Sequence, residues 1–149
     1  MNPSVTEREK DNIYYVCSLL EYLSRKTHNQ RKAVIGYFSK EDIERQLELA
    51  EVNHCLSFEQ VSDELIEDFS IQTGNYDPES ESYYPIPSIT AIGAVYQRLV
   101  VSTAEDPAQG ILDVFSSFIS EEISDYNSSA YYQNPDYLRC SYLEGRLLT

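Results

Sequence analysis

Several protein classes are disfavoured by what the 149-residue sequence lacks. No apolar run approaches the roughly 20 residues that cross a bilayer, and the polar segment 1–10 lacks the apolar core of a signal peptide. The five glycines form no phosphate-binding loop, so no nucleotide cofactor is expected. Cys17, Cys55 and Cys140 form no CxxC pair and suggest no disulfide framework. We therefore predict a cytoplasmic protein with reduced thiols and no cofactor, not attached to a membrane.

Basic residues are also scarce, and their distribution is uneven. The chain has 11 Lys and Arg against 25 Asp and Glu, a net charge of −14. Residues 1–45 contain 8 basic and 7 acidic side chains, whereas residues 46–149 contain 3 and 18. Such a negative charge repels nucleic acid and anionic lipid, and it attracts basic proteins. The same charge also keeps a protein soluble, so composition leaves both interpretations open.

The spacing of apolar residues predicts an all-α fold of about seven helices. Capping residues mark several starts: Ser4 with Glu7, Ser39, and Ser57 with Gln60. Gly74 and Gly145 are natural stops for the fourth and the last helix. The predicted helices cover residues 5–26, 30–38, 40–52, 58–71, 89–100, 107–126 and 136–144.

One segment rich in helix breakers interrupts this pattern. Residues 74–88 contain three of the six prolines, so we predict an extended Pro/Tyr-rich crossover over 75–88 that places tyrosines against a helical surface. A short strand pair in this segment is the alternative. The crossover would join an N-terminal lobe, 5–74, to a C-terminal lobe, 89–145. We predict one compact domain over 1–149, because neither half alone would bury as much of its own surface.

Tyrosine is abundant, with 13 residues, while tryptophan is absent. Tyrosine offers a large contact area at low entropic cost, so it is enriched at binding surfaces, although it also fills the rim of a core. The tyrosines and carboxylates of the second half are therefore our candidate partner-binding residues: Tyr83, Tyr84, Glu121, Glu122, Asp125, Tyr131 and Tyr132.

A local basic cluster stands out against the acidic background. Arg25, Lys26, Arg31 and Lys32 could form a patch that contacts phosphate or an acidic groove, or could simply be solvated. The helix that follows, 40–52, is rich in glutamate and would be repelled by a DNA duplex. A DNA-binding regulator acting through Arg25–Lys32 is therefore only an alternative function.

The sequence offers little support for catalysis. His54 and Cys55 are adjacent, and on a helix their side chains would diverge by about 100°, so we predict no pair between these two. A pair of His54 with Cys17 or Cys140, brought together by the fold, is the alternative. Glu51-x-x-His54 has the spacing of one half of a di-iron site, but no second Glu-x-x-His exists. We predict no catalytic residue and no metal ligand. A metal-dependent enzyme that uses clustered carboxylates with His54 is the alternative.

Three elements of the first half carry a family resemblance: the run 13–22, the segment 34–38, and the segment 49–55 followed by Val61 and Ile66. They resemble a small, uncharacterised family of helical bacterial proteins, encoded beside ADP-ribosyltransferase-like toxins and regarded as antitoxins. The resemblance covers residues 13–70 and transfers no functional residue. Together with the charge and the tyrosines, it suggests a non-enzymatic, antitoxin-like protein that neutralises a basic protein partner.

Overall fold

The computed structural model describes residues 5–148, and within them the fold is all-α, as predicted. This part of the chain has eight α-helices, one 3₁₀ turn (Ala130–Tyr132) and no strand. None of these helices is long and apolar enough to cross a membrane. The helices are α1 (Glu7–Thr27), α2 (Arg31–Ile35), α3 (Lys40–Asn53), α4 (Phe58–Phe69), α5 (Ile89–Thr103), α6 (Pro107–Ser116), α7 (Phe118–Ser124) and α8 (Pro135–Glu144).

Helix α1 lies at the centre of the fold because its apolar stripe is covered by several neighbours. It packs most extensively along α5 and also contacts α2, α3 and α4, while α6 and α8 pack against α5. Gly93 of α5 allows the close approach to α1, since a Cβ atom there would lie 2.0 Å from Ser18 Oγ. The two halves of the sequence thus share one core. The division into two lobes stays a prediction.

Most predicted helix starts coincide with capped ends in the structure. Ser39 and Ser57 each accept a hydrogen bond from the third residue of their helix and complete a capping box. The first helix begins after Thr6, whose side chain accepts from Glu9 N. The predicted cap Ser4 lies outside the described residues. At the other end of the chain Gly145, at φ 79°, closes α8 as expected.

Several predicted helix boundaries were wrong, and α5 for example runs to Thr103 and not to residue 100. The helix predicted over 107–126 is broken at Ser117, whose extended backbone (ψ 168°) ends α6 and whose side chain caps α7. Serine hydroxyls compete with helical backbone bonds, and Ser117 Oγ donates to Val114 O at 2.7 Å. The second helix is only the five residues Arg31–Ile35. The fourth ends at Phe69, because Ser70 adopts a left-handed conformation (φ 53°) four residues before Gly74.

The segment 71–88 contains neither helix nor strand and is held against the turn after α1. Gly74 N donates to Thr27 O and Tyr76 N donates to His28 O, both at 2.8 Å. Gly74 is required by this close approach, since a Cβ there would lie 2.6 Å from His28 O. Tyr83 and Tyr84, which we predicted to pack against a helical surface, are instead exposed to solvent.

Candidate functional site

An open groove of about 790 Å³ lies where the segment 71–88 passes the turn after α1 and the loop after α7. Three acidic residues, Asp77, Glu81 and Asp125, line this acidic groove together with His28 and uncharged residues, and no Lys or Arg is among its lining residues. The three carboxylates come from two separate segments, so the fold assembles the negative charge. A groove of this composition favours a cationic ligand.

Asn127 fixes one wall of the acidic groove. Its side-chain oxygen accepts a hydrogen bond from Tyr83 N at 2.8 Å, and its amide nitrogen donates to Glu81 O at 2.9 Å. Asp125 in turn accepts from Asn127 N at 3.1 Å. These bonds hold the backbone of Tyr83 next to the acidic groove, while its side chain is 89% exposed. An exposed aromatic ring on an anchored backbone is suited to contact a partner at low entropic cost.

The other candidate tyrosines fall into two environments. Tyr84 and Tyr132 are exposed, whereas Tyr131 is half-buried and packs against the core. The rings of Tyr131 and Tyr132 meet edge to face with centroids 5.0 Å apart. Of the candidate carboxylates, Glu121 and Asp125 are exposed and Glu122 is half-buried. Of all the predicted partner-binding residues, tyrosines and carboxylates together, only Asp125 lines the acidic groove.

The basic patch predicted over 25–32 is not formed as a surface of four cations. Arg31 is buried, and both its Nε and its Nη2 donate to the carboxylate of Glu21, whose side chain is 1% exposed. Arg25 Nε donates to the same carboxylate at 2.7 Å, and Tyr126 OH donates to it at 3.2 Å. We name these four residues the buried ion cluster. The prediction was wrong because the carboxylate of Glu21, in α1, binds both Arg25 and Arg31.

Electrostatics keep the cluster ionised. Burial by itself raises the pKa of Glu21, but the charges and hydrogen bonds of Arg31 and then Arg25 outweigh it, so this pKa lies below its usual value of 4.5. Burial, reinforced by the nearby Glu21 charge, raises the pKa of Tyr126 to about 12. Arg25 Nη2 also donates to Pro87 O at 2.9 Å, which ties the segment 71–88 to the core.

The remaining two residues of the predicted patch lie at the surface. Lys26 pairs with Asp63 of α4, and the hydrogen bond that its ammonium donates to this carboxylate raises the pKa of Lys26. Lys32 is exposed. With two of its four cations in the buried ion cluster and a third paired, the patch offers no concentrated positive surface for nucleic acid.

The surroundings of His54 differ partly from expectation. His54 follows the last residue of α3, and its Nδ1 lies 3.3 Å from Ala50 O. Our exclusion of a Cys–His contact was wrong: Cys55 Sγ lies 3.7 Å from His54 Nε2, because the helix ends at Asn53 and the two residues are in a turn. Glu51 is bound by Arg8. Among residues 5–148, no group of three or more His, Cys, Asp or Glu side chains is arranged to hold a metal ion.

Three residues that build the acidic groove were not among the predicted site residues: Asp77, Glu81 and Asn127. The Asn–Ser–Ser stretch after Tyr126 indicated a loop, and nothing in it showed that Asn127 would bind the backbone of a segment 44 residues away. No protein-family model, curated protein or solved structure matches the chain.

Proposed function

We propose that this protein is a non-enzymatic interaction module that binds a basic protein partner. It neutralises this partner by covering the partner's functional surface. The observation that carries the proposal is the acidic groove, where Asp77, Glu81 and Asp125 meet without any Lys or Arg among the lining residues. Tyr83, anchored through Asn127, supplies exposed aromatic area beside it.

The chemistry of the acidic groove suits an arginine or lysine side chain of the partner. A guanidinium can bind carboxylates through two parallel hydrogen bonds and can stack on an aromatic ring, so Arg is the better match. The negative charge of residues 46–149 would steer such a partner toward the groove and speed association at low salt. Burying the exposed rings of Tyr83 and Tyr84 would then contribute most of the contact energy.

The resemblance of residues 13–70 to antitoxins makes a basic toxin the partner that we propose. In this interpretation the protein acts in the cytoplasm as an antitoxin, and its mechanism is occlusion of the toxin's substrate groove.

The test is capture of a basic protein from a lysate of the native host by the immobilised chain, at low and at high salt. We compare the wild type with a groove variant, Asp77→Asn/Glu81→Gln/Asp125→Asn. These substitutions keep the side-chain oxygens that accept from Ser80 N and Asn127 N, so the local turns are preserved. The wild type should retain one basic protein at low salt, and the groove variant should bind it at least about tenfold more weakly.

The matched control is Glu41→Gln/Glu44→Gln/Glu48→Gln, which removes three exposed carboxylates of α3 and changes the net charge equally. This control should bind as the wild type does. Equal weakening in both triple variants would show that the acidic groove has no special part in binding. Recovery of no basic protein at either salt concentration would contradict the proposed function.

A further inference from the structure

A second cleft, of about 580 Å³, lies on a different set of helices from the acidic groove. Helices α1, α5 and α8 form it, and Lys10, Arg98 and Arg139 line it, one from each helix. We call it the basic cleft. Gln97 Nε2 donates to Lys10 O at 3.3 Å and so joins two of its walls.

The concentration of positive charge in this cleft is unusual for such an acidic chain. After residue 45 the sequence has only three basic residues, and two of them, Arg98 and Arg139, face this one cleft. The single carboxylate among its lining residues belongs to Asp136, so these side chains carry a net charge of +2.

The counterions of these cations are weakly held. Lys10 pairs with Glu7 at 3.1 Å, but Glu7 is 88% exposed. Arg139 Nε lies 3.6 Å from Asp136, which is 84% exposed, and this distance is longer than a hydrogen bond. Arg98 is exposed and makes no ion pair with any residue of 5–148. Exposed ion pairs contribute little, so an incoming anion can displace Glu7 and Asp136.

One wall of the basic cleft is apolar. Val101 and Pro135 line it between the cations, and the volume lies in the range of small-molecule sites. Pro135 is also the first residue of α8, so the positive end of that helix's dipole faces this side of the cleft.

We infer that the basic cleft binds a small organic phosphate. A phosphate dianion neutralises the net charge of +2 contributed by Lys10, Arg98, Arg139 and Asp136, and three cations from three helices match its three oxygens better than a planar carboxylate. The organic part of the ligand packs on Val101 and Pro135. This inference does not depend on the proposed function, because the acidic groove and the basic cleft share no lining residue.

The test is a titration of the full chain followed by backbone NMR and calorimetry, in a buffer without phosphate. Phenyl phosphate is the probe. Inorganic phosphate, which lacks the ring, and benzoate, which has the ring but only one negative charge, are the two controls. Phenyl phosphate should bind saturably with a Kd of about 1 mM or tighter, and the shifted amides should cluster around Gln97 and Val101. Inorganic phosphate and benzoate should each bind at least about threefold more weakly.

Two arginine variants locate the site. Arg98→Gln should weaken phenyl phosphate binding about tenfold, because it removes a charged donor to the phosphate. Arg146→Gln removes the same charge from an exposed position outside the cleft and should leave the Kd unchanged within about twofold. Circular dichroism checks that both variants fold.

Four results would overturn the inference: no saturable binding, shifts centred elsewhere, equal weakening in the two arginine variants, or benzoate binding as tight as that of phenyl phosphate. Inorganic phosphate binding as tightly as phenyl phosphate would overturn the role of Val101 and Pro135.

Discussion

Replacing Glu21 by Gln tests whether the buried ion cluster holds the fold together. The substitution keeps the size of the side chain but removes the charge that faces Arg31 and Arg25. Both Glu21 and Arg31 have side chains that are 1% exposed, so water cannot replace the lost partner. Breaking a buried pair from one side costs about 3–5 kcal/mol, and we expect the lower end, because the Gln carbonyl still accepts one hydrogen bond.

The measurement is urea unfolding of wild type and variant, followed by circular dichroism. In a thermal unfolding experiment on a chain of this size, the same loss of about 3 kcal/mol would lower the Tm by roughly 6–12 °C. Glu44→Gln, at an exposed position of α3, is the control and should change the free energy of unfolding by less than about 0.5 kcal/mol. If Glu21→Gln costs less than about 1 kcal/mol, our account of the buried ion cluster is incorrect.

The same variant has a pH signature. Because the pKa of Glu21 is lowered on folding, its carboxylate stabilises the fold above the unfolded pKa, near 4.5. This contribution is lost as the pH falls through the lower, folded pKa. The wild type should therefore lose stability below about pH 4.5, and Glu21→Gln should lose less over the same range. Parallel curves for the two proteins would contradict the assigned pKa shift.

Three further substitutions or measurements test other parts of the fold. Gly93→Ala should destabilise the chain by about 1–3 kcal/mol in urea unfolding, because its Cβ would clash with Ser18 and push α5 away from α1. Tyr126→Phe removes a hydroxyl that donates to one member of the buried ion cluster and accepts from another, and should cost about 1–2 kcal/mol in the same assay. A thiol reagent followed by mass spectrometry should modify exposed Cys55 in the native protein but reach Cys17 only after unfolding, because Cys17 is buried and burial raises the pKa of its thiol.

Local features of the fold could be predicted from the sequence where one short motif decides them. Ser39, Ser57 and Gly145 mark helix ends through bonds to residues at most four positions away, and each lies where it was expected. The break at Ser117 was missed, because a serine side chain can either continue a helix or cap the next one, and packing against distant residues decides between them.

The candidate sites were harder to predict because they depend on contacts between distant segments. Arg31 looked like a surface cation in sequence, since its burial follows from Glu21, ten residues earlier, and Tyr126, 95 residues later. The acidic groove likewise requires Asp125 to meet Asp77 across 48 positions. Tyr83 and Tyr132 are exposed, and their part in binding a partner stays a prediction.

The packing of α1 along α5 has a consequence during protein synthesis. The apolar stripe of α1 is complete early, but its main partner is made only when residues 89–103 have left the ribosome. Until then α1 lacks the helix that it contacts most extensively, and contacts between such distant segments form slowly. A nascent chain paused before α5 would therefore expose apolar surface that chaperones and proteases recognise.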